Sequence, residues 1–184
     1  MTEFRIGTSA FTAAGWETAF YPAVMKPADY LTYYATTFDT VEVDSTFYRT
    51  PSAATVKDWE RKTPTGFILA AKIPQTITHE KILQNCDEDL KHFLETMDLM
   101  GDKLGPLLFQ FGYFNKSAFK SGKEFPARLE PFLKKLPKGY RFAVEIRNKQ
   151  WLTAEFFDLL REYKVAYALI DQSTASWRAD LTQT

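Results

Sequence analysis

Six short runs in this chain alternate apolar with polar residues, or are apolar almost throughout, and stretches of helical spacing separate them. They are FRIGTS from Phe4, TVEVD from Thr40, FILAAKIP from Phe67, PLLFQF from Pro106, RFAVEIRN from Arg141 and VAYALID from Val165. Each reads as a strand. Pro27 opens a helix expected over 26–38, Ser52 caps one over 53–61, and Asp87 caps one that buries Leu90, Phe93, Leu94, Met97 and Met100. Two further helices carry Leu129, Phe132, Leu133 and Leu136, and, after a Thr153 cap, Phe156, Phe157 and Leu160. No hairpin signal interrupts this β-then-α repetition, so the sheet is expected to be parallel with its helices outside.

Side-chain parity separates two faces in the first five runs. One parity holds Phe4 and Ile6, Val41 and Val43, Leu69 and Ala71, Leu107 and Phe109, Phe142 and Val144, which should meet the helices. The other parity grows more polar along the chain: Gly7 to Ser9, Thr40 to Glu42 to Asp44, Ala70 to Lys72, Leu108 to Gln110, Ala143 to Glu145 to Arg147. A TIM-like (β/α) barrel, packed at the bottom of its lumen and functional at the C-terminal mouth, has this gradient. A doubly wound sheet would also put its site at the strand ends, but no Gly-x-Gly-x-x-Gly follows the first run. The sixth run is ambiguous, because Asp171 shares parity with Tyr167 and Leu169.

Composition changes this picture in three places. Lysine plus arginine equals aspartate plus glutamate at 23 each, which leaves no global basic field for nonspecific nucleic-acid binding. The single cysteine, Cys86, rules out an intramolecular disulfide framework, and the N-terminus has no leader pattern, so a cytoplasmic location is expected. No apolar run approaches the roughly 18 residues of a membrane span. With two histidines, His79 and His92, a multi-histidine metal centre is nearly excluded.

IGTS, Gly15-Trp16, Phe20-Tyr21-Pro22, FDTVEVDSTFYRTPS, GFILAAKIPQTITHE, LGPLLFQF and FAVEIRNKQW, in that order, resemble the domain-of-unknown-function 72 (YecE-like) family along nearly the whole chain. The resemblance implies a TIM-like barrel and carries no established activity. Its matching polar positions are Trp16, Glu42, Ser45, Tyr48, Lys72, His79, Gln110, Glu145, Arg147 and Asp171. Related domains continue into further strands, whereas no seventh or eighth run is readable after Asp171. The 184 residues are therefore expected to form one barrel domain, truncated at its C-terminus, with six readable strands.

Chemistry at the mouth can be read in several ways. Glu42 and Glu145 could serve as acid and base, or each could pair structurally with Lys72 or Arg147. Lys72 could be a reactive amine or an ion-pair partner, and His79 a proton shuttle or a loop histidine bonded to backbone. Arg49, Lys72 and Arg147 could receive a phosphate or carboxylate, with Trp16 and Tyr48 stacking on a ring. Glu42, Asp44, Glu145 and Asp171 would suit a hard divalent metal such as magnesium, against competition from lysine and arginine, and no cofactor is required. The expectation is an enzyme that handles a small polar or anionic substrate by general acid/base chemistry. Catalysis would fall to Glu42, Lys72, His79 and Glu145, and binding to Trp16, Asp44, Ser45, Tyr48, Gln110, Arg147 and Asp171. The alternatives are a non-catalytic nucleic-acid or protein binding module and a metal-dependent hydrolase.

Overall fold

The computed structural model describes residues 3–115, 118, 119, 121 and 123–170. Five parallel strands, β1 (Thr40–Val43), β2 (Ile68–Lys72), β3 (Leu104–Phe111), β4 (Phe142–Ile146) and β5 (Ala166–Tyr167), pair in sequence order to form one sheet. The helices are α1 (Trp16–Ala19), α2 (Tyr30–Tyr34), α3 (Ser45–Tyr48), α4 (Ala53–Lys62), α5 (Asp87–Met97), α6 (Glu124–Lys135) and α7 (Ala154–Glu162). Among the described residues the sheet is open, with β1 and β5 at its edges, so barrel closure is not seen.

The core lies between the sheet and the helices, on the parity expected for it. Val41, Val43, Leu69, Leu107, Phe109 and Val144 are buried against Val56, Trp59, Phe93, Met97, Leu129, Phe132 and Phe156. Each large side chain of this kind contributes about 1.5–3 kcal/mol on burial. Ser52 and Thr153 cap α4 and α7 through their hydroxyls, accepting from Thr55 N and Phe156 N. At α5 the cap position falls to Cys86 instead of Asp87, which is the first residue of the helix.

The expected first strand is not formed. FRIGTS runs beside β1, and the ladder bond it makes is from Glu42 N to Thr8 O, at 3.0 Å. Two features account for this. A Cβ on Gly7 would lie 2.1 Å from Thr40 O, so the segment presses backbone against backbone. The Tyr34 hydroxyl also captures the Thr8 amide at 2.9 Å and donates to Thr40 O at 3.0 Å, diverting groups a ladder would use. Phe4 and Ile6, expected under the helices, are 87% and 75% exposed.

The helix expected over 26–38 is shorter, a 3-10 turn at Pro27–Asp29 leading into α2. Thr36 Oγ1 bonds back to Tyr33 O at 2.7 Å, the local competition by which threonine ends helices. In β5, Tyr167 pairs with Val144 and sets its ring edge-on to Phe156 and Phe157, so its parity is the helix-facing one. Asp171 lies outside the described residues.

Candidate functional site at the C-terminal ends of the strands

Register explains which polar side chains meet. Glu42 is level with Ala70 and Val43 with Ala71, so Asp44, one residue past β1, comes level with Lys72. Lys72 in turn is level with Leu108, and Gln110 is level with Glu145. The polar groups thus climb stepwise toward the C-terminal ends across four strands, on the face opposite the core.

Two clusters result. Lys72 Nζ is 2.7 Å from Asp44 Oδ1 and 3.3 Å from Glu42 Oε1. One ammonium between two acids cannot neutralise both. Burial pushes the Glu42 carboxyl above its ordinary range, against the opposing pull of Lys72. Burial by itself would lower Lys72, but Asp44 and Glu42 outweigh it and hold the ammonium above its usual value. Thr46, fully buried, sets its hydroxyl 2.8 Å from both Val43 O and Lys72 O, tying the end of β1 to the end of β2.

In the second cluster Gln110 Nε2 donates to both carboxylate oxygens of Glu145 at 2.9 Å, and Arg147 Nε stands 3.6 Å from Glu145 Oε1. Glu145 is 7% exposed, whereas the Arg147 side chain is 42% exposed. The two clusters feel each other, since the charge of Glu145 adds to the upward push on Glu42. Glu42 and Glu145 therefore each have the structural partner weighed for them from the sequence.

His79 sits in a π-helical turn, Thr76–Glu80, that follows β2. Gly112 N–H donates to its Nε2 at 3.2 Å, so Nε2 carries no proton, and Nδ1 donates to Thr78 Oγ1 at 2.8 Å. Burial, and then the charge of Arg147, lower its pKa, which favours the neutral ring. Both ring nitrogens are engaged, one of them by backbone. Beyond it, fully buried Asn148 accepts from Phe114 N at 2.8 Å and donates to Phe114 O at 2.7 Å. Loops following β2, β3 and β4 are thereby cross-braced by side chains.

The remaining expected residues divide. Ser45 and Tyr48 lie on α3 at the end of β1, both exposed, and Arg49 follows, exposed and extended. Trp16 packs against the rings of Phe20 and Tyr21 at 5.4 and 6.3 Å, an aromatic cluster of the helix layer and not part of either ionic cluster. Among the described residues, no three His, Cys, Asp or Glu side chains converge as a metal site, and the Lys72 ammonium stands between Glu42 and Asp44. Nothing in the sequence pattern assigns Thr46, Thr78 or Asn148 to the site. Only their position just past a strand end could have flagged them.

Fold and site together define an α/β protein whose singly ordered parallel sheet gathers acids, amides and cations at its C-terminal ends. The chain belongs to the DUF72 family, "Protein of unknown function DUF72", whose pattern matches residues 5–184. It is 32% identical over 118 residues to YecE, a UPF0759 protein, of Escherichia coli K12, a match covering 64% of this chain and 41% of that protein, and equally so to YecE of strain O157:H7. The chain's match thus spans less than half the length of these curated relatives. Two crystal structures of a DUF72 family protein from Enterococcus faecalis V583 share the fold. At 23% and 21% identity, their TM-scores are 0.62 and 0.67, with 91% and 95% of this chain and 62% and 63% of the other covered. No helix among the described residues is long and apolar enough to cross a membrane.

Proposed function

We propose that the five strands belong to a TIM-like (β/α) barrel, and that its C-terminal mouth is the active site of an enzyme acting on a small polar or anionic substrate. Strand order supports the barrel. A doubly wound sheet reverses direction at a switch point, whereas β1 to β5 run in sequence order without reversal, as barrel strands do.

The observation that carries the activity is the gathering of Glu42, Asp44, Lys72, Gln110, Glu145 and Arg147 on one face at one end of the sheet. Glu42 is the acid/base group, because its raised pKa brings proton exchange closer to neutral pH. Lys72, held charged, stabilises negative charge that develops beside it. Glu145, gripped by Gln110, orients Arg147, whose terminal nitrogens have no hydrogen bond among the described residues and are open to a phosphate or carboxylate. His79 braces the mouth in its neutral form.

A thermal-shift screen of the chain against phosphates, carboxylates, sugars and nucleotides tests this reading, since a ligand of the native state raises Tm. Anionic compounds should raise Tm in the native protein and not in Arg147→Ala. Stabilisation by none of the anions, or equal stabilisation of the variant, would overturn it.

A further inference from the structure

We propose that Tyr113 is a ligand-contacting residue of this mouth, the surface on which a planar ring packs while Arg147 takes the phosphate or carboxylate attached to that ring. The inference rests on the reading of the mouth as an anion site and adds the class of molecule that bears the anion.

Tyr113 is 70% exposed, yet the residues on either side of it are fixed. Gly112 N–H is held by His79 Nε2, and both backbone polar groups of Phe114 are held by Asn148. A Cβ on Gly112 would stand 3.0 Å from His79 Nε2, so the backbone has been brought directly onto the imidazole. An exposed loop aromatic on a mobile segment would lose its freedom on binding. Here two side-chain braces have already removed much of it, which lowers the entropy cost of using the ring.

Its neighbours share the same support. Tyr48, 71% exposed, stands edge-on to Phe47, whose ring is edge-on to His79 at 5.1 Å, and His79 lies 6.0 Å from Phe114. The exposed apolar residues Phe4 and Ile6 lie instead with Asp39 and Gly66, beside the opposite ends of the strands. Charge completes the site. Arg147 directly precedes Asn148, which holds Phe114, its charge acts on His79, which holds Gly112, and among the described residues its tether is the Nε contact with Glu145. A cation whose terminal nitrogens have no partner among the described residues and an exposed, braced phenol on one rim suit a flat ring with an anionic substituent.

Isothermal titration of the chain with phenyl phosphate against methyl phosphate, and benzoate against acetate, tests the assignment. For whichever anion binds, the ring-bearing member should bind about tenfold tighter, the scale of one stacked ring. Tyr113→Ala should erase that preference while leaving the methyl phosphate or acetate affinity unchanged, and Tyr113→Phe should keep it. Arg147→Ala should weaken both members of the pair. An unchanged melting curve for Tyr113→Ala, as expected of an exposed side chain, shows the variant is folded. Equal affinities within each pair, or a preference that survives Tyr113→Ala, would overturn the role of Tyr113 and leave the anion reading standing. Binding of none of the four would overturn both.

Discussion

Lys72 and Asp44 meet at 2.7 Å because the register of β1 on β2 carries Asp44 level with Lys72, although 28 positions separate them in sequence. Lys72→Met leaves Asp44 and Glu42 facing each other without a cation. The side chains are partly exposed, so the cost falls below that of a buried pair, at about 1–2 kcal/mol near pH 7. Urea melts at pH 7 and pH 4 check this. The loss should shrink at pH 4 as Glu42, whose carboxyl is held above its ordinary range, gains a proton, and a loss independent of pH would point to packing instead.

Glu42 has a folded pKa above its ordinary 4.5. Its contribution to stability is complete below the unfolded value and is lost as pH rises through the folded one. Glu42→Gln, whose neutral amide mimics the protonated carboxyl, should therefore stand near the native protein below pH 4.5 and gain on it as pH rises toward 7. Paired melts across that range measure the trend, and a gap that widens against the variant with rising pH would contradict it.

For His79 the sign is opposite. Its pKa lies below 6.5 in the folded chain, so the stability it contributes is present above 6.5 and falls as pH drops toward the folded value. A protonated ring could no longer accept from Gly112. Nitrogen-15 spectra of the imidazole should show the Nδ1–H tautomer at pH 7, and Tm should decline below pH 6.5 less in His79→Asn than in the native protein. A doubly protonated ring at pH 7 would refute the brace.

Asn148→Ala would strand the N–H and C=O of Phe114, in a region packed by Phe119, Phe125 and Trp151. About 2–3 kcal/mol should be lost. The Phe114 amide should then exchange with deuterium much faster, while core amides such as Val144 keep protection scaled to the global change. Uniform acceleration would mean that Asn148 serves the fold and not this loop.

The sequence made β1 to β4 and their two faces legible, because period-two parity survives wherever one face packs helices and the other carries charge. It failed at Phe4 to Ser9, where the alternation is genuine but Gly7 and the Tyr34 hydroxyl override it. The ionic residues of the mouth were readable from parity alone. A backbone-bonded His79 was among the sequence alternatives, but its partner Gly112 and the brace at Asn148 were not legible, since each side chain meets backbone 33 or 34 residues away and only folded loops bring them together. Trp16 is expected at the site because an aromatic side chain in sequence does not declare what it packs against, whereas in the fold its neighbours are Phe20 and Tyr21.

The central claim is that the polar ends of four strands form one ligand site. A nitrogen-15 correlation spectrum recorded during titration with phenyl phosphate tests it most directly. Perturbations should concentrate on the Gln110 side-chain amide, Arg147 Nε–H and the backbone of Gly112 to Phe114. Perturbations gathered instead around Asp39 and Gly66 at the other end of the sheet, or none at saturating ligand, would contradict it.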